Sequence, residues 1–339
     1  MKDPIISVKN LTKTFGEVVA VDNITFDVKK GEIFGFLGPN GAGKTTTLRM
    51  LTTLLTPDSG EIQVSGFNPK KDADELKHRV GLVAEKLIMY DYLTASENLR
   101  FFGRLYNVKK DILESRIEEL LKKIGMWKWR NYKIGTYSSG MKQRINVIRA
   151  LVTDPDIIFM DEPTLGLDPQ STRKVREFIR ELNKKGKTII LTTHIMQEAD
   201  LLSDRVGIID KGKIVALDTP ENLKKILSDK KGSCIELTLS SLPEDLKAEI
   251  EKLKQVKVEV MSRNRLAIEF TNGMKLNELI DIVQKRGLTI MKLQTYDPTL
   301  EDVFIELTGK QLRDKADQKV ATQQMGPRHM LEKQNSRIR

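Results

Sequence analysis

The stretch Gly38-Pro39-Asn40-Gly41-Ala42-Gly43-Lys44-Thr45-Thr46 constrains this chain more than any other. It fits G-x-x-x-x-G-K-S/T, a loop that wraps the tail of a nucleoside triphosphate. A triphosphate needs several backbone N–H groups aimed inward together, and glycines let a chain bend that tightly and come that close. In such a loop Lys44 reaches the β- and γ-phosphates and Thr45 sets its hydroxyl on Mg²⁺. The helix that follows points its positive end at the anion. The flanks agree: Ile33 to Leu37 is an apolar run of strand length, and Thr46 to Leu51 opens a helix.

The pattern around this unit predicts an α/β fold. Residues 5–30 read as antiparallel strands, with Ile24-Thr25-Phe26-Asp27-Val28 alternating at period two, and Ser59 to Gly66 adds a short strand. From about 86 to 150 the period becomes helical. Thr94-Ala95-Ser96-Glu97 is a capping box, and Ile112, Leu113, Ile117, Leu120, Leu121 and Ile124 form one apolar stripe. Trp127 and Trp129 read as core packing. Strands at Ile157–Met160 and Thr188–Thr192 then alternate with a helix over Arg173–Lys184, and Val206–Ala216 looks like a hairpin over Lys211-Gly212. This alternation implies a largely parallel sheet. Residues 1–228 thus form the first domain. A polar break follows at Ser228–Ser233, and then a split β-α-β-β-α-β order predicts a small ferredoxin-like α+β domain over 232–309.

Composition narrows the classes. The chain of 339 residues is long enough for two domains, and 39% hydrophobic with 31% charged residues suits a globular protein. No apolar run approaches membrane-span length and no apolar signal region opens the chain, so a cytosolic protein is expected. One cysteine, Cys234, rules out an internal disulfide. The net charge is +10, but residues 310–339 hold eight Lys or Arg against three Asp or Glu. The body is only mildly basic, which argues against nucleic acid as a partner. Two accounts fit the basic tail: a solvated, disordered end, or attraction to an anionic membrane surface.

Four later elements specify the nucleotide chemistry. The apolar strand Ile157–Met160 ends in Asp161-Glu162, which places Asp161 by the Mg²⁺ shell and lets Glu162 polarise an attacking water. Tyr137-Ser138-Ser139-Gly140 leads into a helix, so Ser138 and Gly140 make a second anion site at a helix N-terminus. One nucleotide cannot occupy both helix ends unless the fold converges them or a second chain supplies one. Leu165-Gly166-Leu167-Asp168-Pro169 is a turn just after the acids, and His194 follows a strand where its imidazole can contact the γ-phosphate.

Together these motifs resemble the ATP-binding subunit of ABC transporters over roughly residues 5–225. The resemblance implies a P-loop ATPase core with an antiparallel β subdomain and a helical subdomain. It makes Ser138 to Arg144 the signature, Ser139 included, Asp161-Glu162 the Walker B acids, Asp168 the D-loop residue and His194 the switch histidine. Phe15 resembles the aromatic that stacks on adenine. Glu85 stands at the Q-loop position, where the family carries glutamine; as a carboxylate it only accepts hydrogen bonds, and it could ligate Mg²⁺. Tyr137, Ser139 and Met141 also depart from the family's L-S-G-G-Q. Residues 232–309, closest in Asp297–Gly309, resemble the extension of exporter ATPases related to those for drugs and antibiotics.

The implied function is ATP hydrolysis that powers a separate membrane permease, in export, with the permease expected to dock at the surface near Lys86–Tyr92. Two subunits, expected to be identical, would bind ATP and Mg²⁺ head to tail, at the inner face of the membrane. The alternative is an ABC-type ATPase without a permease, acting on ribosomes or DNA. The short Lys44-to-Ser138 interval, without sustained heptads, and the single cassette argue against it. A plain metabolic kinase leaves the second anion site unexplained.

Overall fold

The computed structural model describes residues 4–231, 233–253, 256–270, 276–296 and 298–309. The expected basic tail, Asp297 and Gly232 lie outside the described residues. The chain divides between Pro220 and Glu221 into two compact units.

The first unit opens with β1 (Ile6–Phe15), β2 (Val18–Val28), β3 (Ile33–Leu37), α1 (Lys44–Leu51), β4 (Ser59–Val64), α2 (Ala73–Lys77) and β5 (Val80–Val83). Next come α3 (Ala95–Leu105), α4 (Lys110–Lys123), α5 (Ser139–Arg149), β6 (Ile157–Asp161), α6 (Pro169–Lys184) and β7 (Thr188–Thr193). It closes with α7 (Met196–Leu202), β8 (Arg205–Asp210) and β9 (Lys213–Asp218). One sheet is antiparallel, in the order β2-β1-β4; the other runs β5-β6-β7-β3-β8-β9. All pairs of the larger sheet are parallel except β8–β9, whose turn sets both Lys211 and Gly212 at positive φ. That backbone suits a tight hairpin between right-twisted strands.

The larger sheet is apolar on both faces because it separates two cores. On β6, Ile157 and Phe159 pack with β1–β4 and α1, while Ile158 and Met160 pack with the helices α3–α6. On β7, Ile190 faces the first core and Ile189 and Leu191 the second. Period-two alternation is therefore invisible in these strands, as expected where helices cover a parallel sheet.

Local signals account for most element ends. Thr94 and Glu97 form the expected capping box on α3. Helix α6 starts earlier than expected, because Asp168 caps it and Pro169 occupies its first turn, where a missing N–H costs nothing. Two core expectations fail. Ile112 is 48% exposed and Trp129 45% exposed. Ile112 lies off the line of Leu113, Ile117, Leu120 and Leu121, which are buried. Trp129 lies tilted against Tyr132 at the surface, while Trp127 packs against the helical core beneath the Arg130 guanidinium.

The second unit begins one residue into α8 (Pro220–Lys231) and holds β10 (Ser233–Leu239), α9 (Leu246–Ile250), β11 (Val256–Ser262), β12 (Arg265–Phe270), α10 (Leu276–Lys285), β13 (Ile290–Tyr296) and α11 (Leu300–Thr308). Its antiparallel sheet runs β11-β12-β10-β13, the ferredoxin-like order expected from the split β-α-β-β-α-β pattern. Ile235, Leu237, Leu266, Ile268, Leu279 and Val283 form its core. The polar stretch from Ser228 is not a linker at its start: Ser228 to Lys231 continue α8, since Ser, Asp and Lys are tolerated in a helix. Among the described residues no helix is long and apolar enough to cross a membrane.

Candidate functional site

The loop Gly38–Thr46 joins β3 to α1. Gly41 and Gly43 take φ of +81° and +107°, a bend that side chains resist. Gly38 and Gly43 have a second reason: a Cβ on either would strike a backbone carbonyl of the chain itself, Ile209 O or Ala20 O. Asn40 and Gly41 form an exposed tip, with Pro39, Thr45 and Thr46 half-buried and Ala42 buried. Lys44 is only 5% exposed. Its Nζ donates to Gly38 O (2.7 Å) and Pro39 O (3.2 Å) and lies 3.2 Å from Glu162 Oε1.

Strand register brings the acids to this loop. Leu37 of β3 lies beside Thr193 of β7, and Thr192 lies beside Asp161 of β6. Three parallel strands therefore end on one edge, and the residues that follow each converge there, outside the carboxyl ends of the sheet. Asp161 Oδ1 accepts from Thr45 Oγ1 (3.0 Å) and Thr192 Oγ1 (2.6 Å). Glu162 sits in the left-handed region at φ +49°, and its N–H donates to both Thr192 O (3.2 Å) and Thr192 Oγ1 (3.1 Å). Its Oε2 is 2.9 Å from His194 Nδ1. Its Oε1 has the Lys44 ion pair but lacks hydrogen-bond geometry. At 7% exposure this carboxylate is thus held between a cation and an imidazole.

Other expected site residues stand apart. Phe15, 50% exposed at the end of β1, offers an open ring with Lys13 Nζ 5.5 Å from its centroid. Ser138 caps α5, its Oγ accepting from Met141 N (3.3 Å), and Ser138 and Ser139 are exposed. Gly140 is buried where a Cβ would strike Ser171 at the start of α6. Asp168 accepts from Ser171 N (2.9 Å), and these Ser171 hydrogen bonds hold its carboxyl below the ordinary aspartate value. No hydrogen bond or ion pair among the described residues joins Ser138–Gly140 to the loop at Gly38–Thr46. Glu85 is exposed just beyond β5 and makes no hydrogen bond or ion pair with Thr45 or Asp161. The carbonyl before it, Ala84 O, is instead tied to Asn146 Nδ2 (3.1 Å).

Sequence reasoning missed Asn146 and Arg149 on α5, and gave Gln143 no role of its own within the signature stretch. Gln143 Nε2 donates to Pro163 O (2.8 Å), directly after Glu162. Asn146 reaches Ala84, and Arg149 Nη2 donates to Leu82 O (3.0 Å) on β5. Burial pushes the Arg149 guanidinium below its ordinary value. The available signal was their spacing, every third residue, inside a helix whose intervening Ile145, Val147 and Ile148 are buried.

Comparison with known proteins identifies the family and the fold. Residues 21–165 fit the "ABC transporter" family model, and residues 219–308 fit "ATP-binding protein DrrA1-3-like, C-terminal domain". The linearmycin resistance ATP-binding protein LnrL of Bacillus subtilis (strain 168) is 37% identical over 313 residues, covering 91% of this chain and 100% of that protein. The daunorubicin resistance ATP-binding protein DrrA3 of Streptomyces coeruleorubidus is 35% identical, covering 93% and 99%. The Nod factor export ATP-binding protein I of Ralstonia nicotianae (strain ATCC BAA-1114 / GMI1000) is 36% identical, covering 92% and 96%. Among solved structures, an ATP-binding subunit of an ABC transporter aligns with a TM-score of 0.61 at 28% identity, covering 66% of this chain and 93% of that one. The dimeric post-hydrolysis state of the ATP-binding cassette MJ0796, bound to ADP and Pi, aligns at 0.58 and 28%, covering 63% and 98%. With relatives matched over nine tenths of the chain and the cassette fold matched over about two thirds of it, this chain belongs to the ATP-binding, ATP-hydrolysing subunits of ABC transporters, in the group that carries a DrrA-like C-terminal domain.

Proposed function

We propose that two copies of this chain close head to tail on ATP, and that hydrolysis opens them to drive a separate membrane permease in export. The observation that carries this reading is a division of the site. Lys44, Thr45, Asp161, Glu162 and His194 converge on one sheet edge, whereas the Ser138 end of α5 is capped, exposed and unconnected to them. A second chain would bring Ser138, Ser139 and Gly140 over the γ-phosphate, with Asp168 at the same contact. Phe15 would stack on adenine.

The residues do the chemistry as follows. Lys44 now shares its ammonium between Glu162 and two carbonyls; γ-phosphate oxygens compete for it and free Glu162 to take a proton from water. His194 holds the Glu162 carboxylate in place through Nδ1. The Thr45 hydroxyl and Asp161 carboxylate, 3.0 Å apart, are hard oxygen donors that fit Mg²⁺, which supplies neutralisation of phosphate charge when bound. Glu85 would join that shell only by a movement of its loop.

Exposed Leu87, Ile88, Tyr90 and Tyr92, with Phe101 edge-on to Tyr90 at 5.0 Å, support a docking surface for the permease around Lys86–Tyr92. That contact would place the subunit on the inner face of the membrane. The names of the relatives, which cite resistance and export, support export over import. The permease sets the cargo.

The test is Glu162→Gln. It keeps the size of the side chain and removes the base, so turnover should fall at least about a hundredfold. ATP with Mg²⁺ should then trap a dimer, seen by light scattering. A monomer under saturating ATP would overturn the sandwich.

A further inference from the structure

Helix α5 carries a chain of hydrogen bonds that the mechanism above does not use. Gln143 Nε2 donates to Pro163 O at 2.8 Å. Gln143 Oε1 accepts from Asn146 Nδ2 at 3.4 Å, and the same Nδ2 donates to Ala84 O at 3.1 Å. Asn146 Oδ1 accepts from Arg149 Nη2 at 3.1 Å, which also donates to Leu82 O. Gln143 is 7% exposed and Asn146 is fully buried. One helix thus binds the carbonyl after Glu162 at one end and the carbonyl before Glu85 at the other. Its own N-terminus is the exposed cap at Ser138.

The orientation of both amides is forced. Turning Gln143 over would set its carbonyl against Pro163 O, and turning Asn146 would set oxygen against Ala84 O. Buried networks of this kind are rigid when every member is satisfied and costly when one is not. On its far side the same turn is anchored by Thr164 Oγ1, which donates to buried Glu198 Oε1 at 2.7 Å. Pro163 and Ala84 are thus both bonded directly to α5, so a shift of that helix would act on the two together.

We infer that Gln143 and Asn146 are positioning residues that carry the state of the signature helix to the Glu162 turn and the Glu85 loop of the same subunit. The inference rests on the head-to-tail reading. In that arrangement the Ser138 end of α5 touches the ATP of the other subunit, so the amide chain links one subunit's catalytic carboxylate to its neighbour's nucleotide. The two ATP sites then fire together.

Gln143→Met removes the amide and keeps the volume. ATP turnover should fall about tenfold, as for a reacting group displaced by a fraction of an ångström. The half-saturating ATP concentration should stay within about twofold, and the Hill coefficient should fall from about 2 towards about 1. Gln143→Met/Asn146→Leu should be no slower than the single variant, because both cut one chain. Gln143→Glu should be worse than Gln143→Met, since it faces a carboxylate to Pro163 O. If Gln143→Met does not fold, Gln143→Asn, shorter with both polar ends kept, carries the same expectations. Each substitution is also placed in the Glu162→Gln background. A dimer there with unchanged turnover and cooperativity in Gln143→Met overturns the relay alone. Multiplicative losses in the double variant overturn it as well. A monomer in Glu162→Gln itself overturns the relay and the sandwich together.

Discussion

Glu162 bears the local cost of the site. A non-glycine residue in the left-handed region costs about 1–2 kcal/mol, and here the turn is imposed by two hydrogen bonds from its N–H to Thr192. The same turn aims the carboxylate back at Lys44 and His194 rather than along the strand. Glu85 presents the opposite case, a carboxylate at an expected metal position with solvent around it. Glu85→Gln should leave stability within about 0.5 kcal/mol, as for other exposed substitutions. It should preserve or raise ATPase activity, because the amide repels the γ-phosphate less. A steady-state assay beside a urea melt checks both, and a collapse of turnover would assign the carboxylate a required role. The types of these residues were legible in the sequence; the backbone angle of Glu162 and the isolation of Glu85 were not. The first depends on hydrogen bonds to Thr192 on β7, and beside the second Ala84 O is tied to Asn146 on helix α5, both far away in the chain.

At the scale of elements, the approach to the signature helix is set by Tyr137, which stands where the family has leucine. Its hydroxyl donates to Trp129 O at 2.5 Å, and burial pushes its pKa from 10.0 up to about 12. The folded chain therefore keeps this proton where the unfolded chain releases it. The stabilisation is fully present below pH 10 and is lost as pH rises towards about 12. Tyr137→Phe should lose about 1 kcal/mol at pH 8. It should also show a flatter decline in stability between pH 10 and pH 12 than the parent, measured by urea denaturation at several pH values. Elements whose signals are local were readable in advance, among them the Thr94 capping box and the Lys211-Gly212 hairpin. Trp129 was misread because an aromatic beside a buried helix has the same sequence signature whether it faces in or out.

At the scale of the molecule, every residue assigned to nucleotide lies between Phe15 and His194, inside a unit that has both of its cores to itself. A chain ending at Pro220 should bind ATP within about threefold of the full chain, by the arithmetic that a threefold change is under 1 kcal/mol. Equilibrium binding of a fluorescent ATP analogue to both chains measures this, and a loss of affinity beyond tenfold would give the second unit a part in the site. The sequence by itself determined the phosphate loop, the acids after an apolar strand, most of the order of elements in both units, without α2, β5 and α7, and the family, because glycine bends, caps and hydrophobic periods act over a few residues. Only the tertiary structure decided which of the candidate groups meet. Parallel register across β3, β6 and β7 draws Lys44, Asp161, Glu162 and His194 to one edge, and it leaves Ser138 and Glu85 outside. Side-chain chemistry names the partners, but distances between segments more than a hundred residues apart are set by the packing of the whole sheet.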